Sequence, residues 1–226
     1  MSIYFFISFK FYKLCILIIK TILNFQNMKK QFSIYLFIIF SVFSPVLKAE
    51  NFDAKILRTV HTNRNTSLDG VMQGISNSMY VVLPVIPIGL FASGVINDDK
   101  DLIGKSIQIG FSSAISAITV LGTKQIIQRD RPFVTHNFIE NIGNADDYSM
   151  PSGHTATAFS LATSLSLQYP KWYIIIPSYL WASAVGYSRM HLGAHYLTDV
   201  IVGAIVGAGI SYITFRIEKK VMQKYR

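Results

Sequence analysis

Residues 79–124, MYVVLPVIPIGLFASGVINDDKDLIGKSIQIGFSSAISAITVLGTK, hold two apolar runs joined by the short polar connection NDDKD. Each run has roughly the length that an α-helix needs to cross a bilayer, about 17 to 25 residues. Because the connection is short, the two helices should pack as antiparallel neighbours. Similar runs follow further along the chain. We predict five membrane spans, near residues 79–96, 105–124, 153–169, 172–188 and 196–216.

The composition of the whole chain also indicates a membrane protein. Of the 226 residues, 51% are hydrophobic and only 15% are charged, which is too apolar for an ordinary soluble domain. The net charge of +9 does not indicate nucleic-acid binding, because the basic residues are spread among hydrophobic segments and gathered at the C-terminus. We therefore predict an all-α, multi-pass membrane helical bundle with no nucleic-acid partner.

The first 49 residues are predicted to form a leader. From Met28 the chain has a basic start, an apolar stretch and Ala49 before polar sequence, which is a secretory signal pattern. If this segment stays as a first membrane helix, the protein has six spans instead of five. Residues 50–226 then form the membrane domain. Within it, residues 52–77 mix charge with periodic apolar positions, which predicts helices lying at the membrane interface.

The basic residues also predict on which side of the membrane the unusual polar residues lie. If the C-terminal cluster from Arg216 to Arg226 is cytoplasmic, the end of the second span, the start of the third, the end of the fourth and the start of the fifth lie outside. Ionisable groups that converge at one membrane face indicate a functional site, although snorkelling would explain any single cation. These ends carry Lys124, Arg131, PSGH at 151–154, Arg189, His195 and Asp199.

Two cations near the end of the second span suggest an anion site. Lys124 and Arg131 are seven residues apart, so on one continuous helix they would share a face. Pro132 disfavours helix from Arg131 onward. Arg129 and Asp130 fall on other faces, where we expect a solvated pair or a local brace.

The tetrapeptide PSGH resembles the start of a helix. Ser152 is a natural N-cap, and Gly153 allows close approach of the backbone. The first amides of a helix have no helical partners and bind phosphate readily. Taken alone, the same pattern is also explained by capping only.

The segment from Arg189 to Asp199 suggests a reactive imidazole. Gly193 predicts a turn before a helix that starts at His195. On that helix Asp199 can accept the proton of one ring nitrogen and leave the other nitrogen free as a nucleophile or base. A structural His–Asp pair is one alternative. A metal site of His191, His195 and Asp199 is another, although the turn would break their shared face and the nearby cations would repel a dication.

The ordered segments KQIIQRDRP, PSGH and SRMHLGAHYLTD, residues 124–199 in all, resemble the signature of the type 2 phosphatidic acid phosphatase superfamily. In that signature a lysine is followed seven residues later by Arg-Pro, and then comes Pro-Ser-Gly-His. The last part is Ser-Arg, a histidine six beyond the arginine and an aspartate four beyond that. Every specified position is matched. The surrounding helices are similar to those of the membrane-bound lipid phosphatase branch.

The resemblance implies a phosphatase acting on a lipid phosphate or lipid diphosphate. It implies that His195 attacks phosphorus to form a phosphohistidine, that Asp199 orients His195, and that His154 protonates the leaving group. The fixed cations would take the place of a metal ion, so no metal or other cofactor is expected. The residues implied to hold the phosphate oxygens are Lys124, Arg131, Ser152, Gly153 and Arg189.

Several substrates fit this pattern. Undecaprenyl diphosphate, phosphatidic acid, phosphatidylglycerol phosphate and the phosphates of lipid A stay open, because headgroup choice lies in loops such as residues 133–150. A non-catalytic anion-binding protein or transporter is the alternative from another class, since it would need cations but no nucleophile. We expect a protein of a bacterial-type inner membrane whose active site faces the periplasmic, extracytoplasmic side.

Overall fold

The computed structural model describes residues 50–143 and 145–224, and every regular element in these two ranges is helical. The all-α prediction is confirmed. The predicted leader, residues 1–49, lies outside the described residues. The helices are α1 Glu50–Thr62, α2 Asp69–Asn77, α3 Met79–Ile96, α4 Lys100–Ile127, α5 Pro132–Thr135, α6 Gly153–Gln168, α7 Trp172–His191 and α8 Leu197–Lys224, with a 3-10 turn at Thr66–Leu68 before α2.

Each of the five predicted apolar runs is a helix, namely α3, α4, α6, α7 and α8. Within the described residues, three helical segments are long and apolar enough to cross a membrane: Thr66–Ile96, Lys100–Thr135 and Leu197–Val221. Ten of the 16 residues of α6 are buried, because this helix packs against α4, α7 and α8. A helix enclosed by its neighbours can carry small and polar residues where a lipid-facing helix cannot. The count of five or six spans stays a prediction.

The contact between α6 and α8 is close because two glycines of α8 face the α6 backbone. A Cβ at Gly203 would lie 2.7 Å from the carbonyl oxygen of Ser152, and one at Gly207 would lie 1.9 Å from that of Ala156. Any larger side chain would push the helices apart. The amide of Ser152 also donates to the carbonyl oxygen of Asp199 at 3.0 Å. The start of α6 is thereby held against the first turn of α8.

Hydroxyl groups join the same helices deeper in the bundle. Ser160 Oγ and Ser211 Oγ lie 2.8 Å apart between α6 and α8, and Ser112 Oγ and Ser164 Oγ lie 2.6 Å apart between α4 and α6. All four residues are buried or nearly so. Interhelical hydrogen bonds of this kind commonly stabilise the packing of membrane helices.

Helices α1 and α2 cover the region of residues 52–77 in which helices were expected. Asp53, Leu57 and His61 of α1 are fully buried or nearly so. Leu57 packs in one cluster with Met190 at the end of α7 and Tyr196 before α8. Helix α1 therefore forms part of the wall behind the candidate site. Its predicted location at the membrane interface stays a prediction.

Candidate active site

The helix ends that carry the signature residues converge on one cavity of about 350 Å³. Asp199 and Ser152 lie behind the cavity wall, and both are fully buried. The other predicted site residues line the cavity itself: Lys124, Arg131, Gly153, His154, Arg189 and His195.

His195 lies on the segment that precedes α8, and only 2% of it is exposed. The predicted start of a helix at His195 is wrong, because α8 begins at Leu197. Asp199, in the first turn of α8, reaches back so that its Oδ2 lies 3.6 Å from His195 Nδ1. Ser149 lies between them, with its Oγ 3.4 Å from Nδ1 and donating to Asp199 Oδ2 at 2.5 Å. The imidazole is therefore oriented by a carboxylate and a hydroxyl together.

The contacts of His195 define which of its ring nitrogens carries the proton. Arg131 Nη1 lies 3.3 Å from His195 Nε2. A guanidinium can only donate, so Nε2 accepts and Nδ1 carries the proton, directed at Asp199 and Ser149. Burial, followed by the charges of neighbouring cations, lowers the pKa of His195 well below its ordinary value. The ring is therefore neutral, and the lone pair of Nε2 is directed at Arg131 in the cavity wall. A neutral imidazole is the form a nucleophile requires.

Lys124 and Arg131 meet in the cavity, but by a different route from the one expected. Helix α4 ends at Ile127, and Gln128 has a left-handed backbone with φ of +50°. Arg131 is the residue before α5, which begins at Pro132. The continuous helix that a shared face would require is therefore not formed, in agreement with the expected effect of Pro132. A turn between α4 and α5 brings the second cation back to the first.

Both cations bind the same carboxylate. Lys124 Nζ donates to Asp147 Oδ2 at 2.6 Å and to the carbonyl of Tyr148 at 2.5 Å, and Arg131 Nη2 donates to Asp147 Oδ1. Burial acts to raise the pKa of Asp147, but the hydrogen bonds and charges of Lys124 and Arg131 outweigh it and lower that pKa. Asp147 is thus an anion held by two of the cations that were predicted to bind phosphate. Sequence reasoning missed it, because nothing in NADDYSM indicates which aspartate turns inward.

Arg189 supplies a third cation with a donor left over. It is 3% exposed at the end of α7, and its Nη1 donates to Ser76 Oγ of α2 at 2.7 Å. Its Nε is buried and has no hydrogen-bond partner among the described residues. A buried donor without a partner is costly, by about 1 to 3 kcal/mol. Arg189 therefore brings to the cavity wall a cation whose hydrogen-bonding capacity is only partly used among the described residues.

The start of α6 differs in one respect from the expected cap. Ser152 is the N-cap residue, as predicted, but its side chain forms no capping hydrogen bond. Its Oγ accepts from Thr155 Oγ1 at 2.9 Å, and its amide binds Asp199. The amides of Gly153 and His154, which line the cavity, belong to the first helical turn and have no helical partners. A contact between Ser152 and phosphate stays a prediction.

The cavity opens between α3 and α4. Tyr80 of α3 and Leu121 of α4 line it and are 63% and 60% exposed. The Tyr80 ring packs edge-to-face on His154, with centroids 5.6 Å apart. The lining therefore combines the cations near His195 with exposed side chains of α3 and α4.

Arg129 and Asp130 do not form the expected solvated pair. Asp130 is exposed, whereas Arg129 connects two fully buried carboxylates. Arg129 Nη1 donates to Asp199 Oδ1 at 2.7 Å, and Nη2 donates to Asp53 Oδ2 at 2.8 Å. No local pattern links residue 53 to residue 199, so the sequence held no signal for this contact.

The alternative metal ligands are not brought together. His191 Nε2 lies 2.8 Å from Asp69 Oδ1, and its carbonyl oxygen lies 2.8 Å from His61 Nδ1. Across residues 50–143 and 145–224, no group of three His, Cys, Asp or Glu residues could hold a metal ion. Gly193 forms the predicted turn with φ of +71°, and a Cβ there would lie 2.3 Å from the carbonyl oxygen of Glu140. This turn separates His191 from His195.

Comparison with known proteins agrees with this arrangement. The family model of the PAP2 superfamily matches residues 105–223. The undecaprenyl-diphosphatase of Sulfolobus acidocaldarius is 32% identical over 194 residues, which cover 81% of this chain and 88% of that protein. Undecaprenyl-diphosphatase BcrC of Bacillus subtilis is 27% identical, covering 72% of this chain and 82% of that protein. The chain belongs to the PAP2 superfamily, as its three motifs implied.

A solved structure shares the fold. The crystal structure of a transmembrane PAP2 type phosphatidylglycerolphosphate phosphatase from Bacillus subtilis superposes with a TM-score of 0.67. The match covers 83% of this chain and 96% of that one at 22% identity. At this identity the comparison bears on the fold alone.

Proposed function

We propose that this protein is a membrane phosphatase that releases the terminal phosphate of undecaprenyl diphosphate. The observation that carries the proposal is the cavity itself. His195 and Arg189 line its cationic end, and Tyr80 of α3 and Leu121 of α4, which also line it, are exposed at the surface of these helices. A diphosphate headgroup fits the cationic end, while a polyprenyl chain stays in the bilayer outside the cavity. The two undecaprenyl-diphosphatases similar to this chain support that choice of lipid.

Substrate binding begins with an exchange of anions. In the structure, the Asp147 carboxylate forms ion pairs with Lys124 and Arg131. The terminal phosphate takes the place of this carboxylate, and it adds hydrogen bonds from Arg189 Nε and from the amides at the start of α6. Because phosphate carries more charge and more acceptor oxygens than a carboxylate, the exchange favours the substrate.

In the first chemical step, the lone pair of His195 Nε2 forms a bond to phosphorus. The bond from phosphorus to the bridging oxygen breaks, and its electron pair stays on the leaving undecaprenyl phosphate. His154 supplies a proton to that oxygen. The leaving group is a phosphate monoester with a second pKa of about 6, so it needs less assistance from an acid than an alkoxide does. Asp199 offsets the positive charge that the ring of His195 acquires.

In the second step, water adds to the phosphorus of the phosphohistidine. The nitrogen–phosphorus bond breaks, and its electron pair returns to Nε2. His154, which lost its proton in the first step, accepts one from the attacking water. Inorganic phosphate then leaves, and Asp147 can return to the two cations. Three fixed cations stabilise the charge on the equatorial oxygens in both steps, so the chemistry requires no metal ion.

The same proposal includes the membrane arrangement. Helices α3, α4, α6, α7 and α8 cross the bilayer, and the enclosed position of α6 accounts for its polar sequence. The basic C-terminal end of α8 lies in the cytoplasm, so the site opens on the extracytoplasmic face of a bacterial-type inner membrane. Residues 1–49 act as the leader.

A phosphate-release assay on the purified protein in detergent tests the proposal. The substrates are undecaprenyl diphosphate, phosphatidic acid, phosphatidylglycerol phosphate and lipid A, each with and without excess EDTA. We expect the fastest release from undecaprenyl diphosphate and no loss of rate in EDTA. Labelled substrate should leave an acid-labile, base-stable phosphate on the wild-type protein but not on His195→Ala. Strict dependence on added zinc or magnesium, or a His195→Ala protein that keeps its activity, would contradict the mechanism.

A further inference from the structure

We infer that Arg129 and Asp53 are positioning residues for this reaction: Arg129 bridges Asp199 to Asp53 and so holds the carboxylate that orients His195. The inference rests on the proposed phosphatase function. Arg129 lies within the first motif segment but is not one of its specified positions, and Asp53 lies in α1, outside the part of the chain that the family model matches.

The geometry around Asp199 leaves its carboxylate little freedom. Oδ1 accepts from Arg129 Nη1 at 2.7 Å. Oδ2 accepts from Ser149 Oγ at 2.5 Å and from the amide of Tyr196 at 2.9 Å. With Arg129 on one oxygen, the other oxygen faces His195 Nδ1. Without Arg129, the carboxylate would be free to rotate about its two remaining donors.

Asp53 holds Arg129 from the opposite side. Its Oδ2 accepts from Arg129 Nη2 at 2.8 Å and from Thr198 Oγ1, and its Oδ1 accepts from the amide of Thr198 at 3.2 Å. Thr198 Oγ1 also accepts from Arg129 Nη1 at 2.7 Å. The guanidinium lies over the Tyr196 ring, 4.1 Å from its centroid. A rigid fork is needed to make these contacts at once, and a lysine could not make them.

The charges of this cluster suit the proposed intermediate. Asp53 and Asp199 are both 0% exposed and share the single positive charge of Arg129, which leaves one net negative charge. When Nε2 of His195 bonds to phosphorus, the ring gains a positive charge that this net charge offsets. Loss of Asp53 would leave the cluster neutral, and loss of Arg129 would leave two buried carboxylates unpaired, so either change should slow turnover.

Arg129 is distinct from the cations that bind substrate. It does not line the cavity that holds His195 and Arg189, and its two terminal nitrogens are already bound to carboxylates. Its contribution should therefore be visible in the turnover number kcat and not in KM.

The test is steady-state phosphate release from undecaprenyl diphosphate by the full chain in detergent, with kcat and KM measured separately. The variants are Arg129→Gln, Arg129→Lys and Asp53→Asn, and the matched controls are the exposed neighbours Asp130→Asn and Lys55→Gln. By analogy with residues that orient metal-bound histidines, we expect Arg129→Gln to lower kcat about 100-fold and Asp53→Asn about 10-fold. KM should stay within about twofold, because interactions realised only in the transition state act on kcat. Arg129→Lys should recover part of the loss, and the controls should match wild type.

Two results would overturn the inference. One is a kcat for Arg129→Gln within about threefold of wild type, which is too small for an orienting contact. The other is a rise in KM at unchanged kcat, which would make Arg129 a substrate-binding cation. If Arg129→Gln does not fold, judged by thermal melting in detergent, Asp53→Asn decides, since it keeps the shape of the side chain. Wild type that releases no phosphate would remove the proposed function and this inference together, whereas active wild type with equally active variants would remove only the inference.

Discussion

Arg129 and Arg131 are two residues apart, and each binds a carboxylate, but the two ion pairs have opposite properties. Arg129 lies between two carboxylates that are 0% exposed, and one of them is the Asp199 that orients His195. Arg131 lies in the cavity wall and binds Asp147, whose side chain is 46% exposed. Two arginines on one short turn thus have different surroundings. Arg129 belongs to a buried network of ion pairs, and Arg131 belongs to the wall of the cavity.

The difference in burial decides which pair can open. Breaking a buried ion pair costs about 3 to 5 kcal/mol, because a charge is left without a partner or water. A half-exposed pair contributes about 1 kcal/mol or less, since water screens it and can replace it. The carboxylate of Asp147 can therefore give way to a phosphate, whereas those of Asp53 and Asp199 cannot leave Arg129. Under the proposed function, the substrate displaces Asp147 from Lys124 and Arg131.

The largest effect should come from His195, which lies beside both the Asp199 of the first ion pair and the Arg131 of the second. We expect His195→Ala to lower kcat by about 10³- to 10⁴-fold or more, as for the loss of a nucleophile elsewhere. Binding of inorganic phosphate should remain, because the three cations are intact, and isothermal titration would measure it. A His195→Ala protein that keeps both turnover and phosphate binding would show that the ion pairs of Arg129 and Arg131 do not support catalysis through His195.

The next effect distinguishes the two arginines. Arg131→Gln removes a cation from the proposed phosphate site, and we expect kcat/KM to fall by about 10² to 10³, the usual loss for a group that stabilises charge on oxygen. The inhibition constant for inorganic phosphate should rise in parallel. The matched variant Arg129→Gln should leave that inhibition constant unchanged. Equal changes in both variants would show that the two arginines do not divide these roles.

A third effect concerns stability. Asp53→Asn leaves a buried guanidinium with one carboxylate fewer, so we expect the free energy of unfolding to drop by about 1 to 3 kcal/mol. Asp147→Asn should change it by less than about 1 kcal/mol, because its ion pairs are half exposed. Thermal melting of both proteins in one detergent measures the difference. A larger loss of unfolding free energy for Asp147→Asn than for Asp53→Asn would contradict the assignment of the Arg129–Asp53 pair as the more stable one.

A fourth effect follows from the lowered pKa of His195. Burial and the neighbouring cations keep the folded-state pKa below 6.5, the ordinary value, which applies to the unfolded chain. As pH falls below 6.5, the unfolded chain takes up a proton that folded His195 does not, so stability is lost, by about 1.4 kcal/mol for each pH unit. His195→Gln should lack this contribution. Melting temperatures between pH 7.5 and 5.5 test it, and identical slopes for both proteins would contradict a neutral His195.

The smallest effect should come from Asp147 as a competitor of the substrate. We expect Asp147→Asn to lower KM and the inhibition constant for inorganic phosphate by up to about fivefold, since a pair worth about 1 kcal/mol or less no longer competes. The matched control is Asp146→Asn, at an exposed neighbour. Weaker phosphate binding in Asp147→Asn would mean that Asp147 supports the anion site instead of closing it.

Much of the fold followed from local sequence patterns. Long apolar runs with short polar connections predicted the helices α3, α4, α6, α7 and α8, and Gly193 predicted the turn before α8. These features depend on periodicity and on the conformational limits of single residues, which neighbours in the chain determine. The motif spacing likewise indicated the residues that line the cavity.

The partners of those residues were decided only by the tertiary structure. Asp53 and Arg129 are 76 residues apart, Arg129 and Asp199 are 70 apart, and Arg131 and Asp147 are 16 apart across a loop. A charged side chain is compatible with many partners, and the choice depends on which helix ends packing brings within about 3 Å. Sequence periodicity determined that cations and histidines would lie at these helix ends, because burying apolar faces requires that arrangement of helices. The tertiary structure decided that Arg129 pairs with Asp199 and that Arg131 lines the cavity. This choice depends on the path of the turn between α4 and α5 and on where α1 packs.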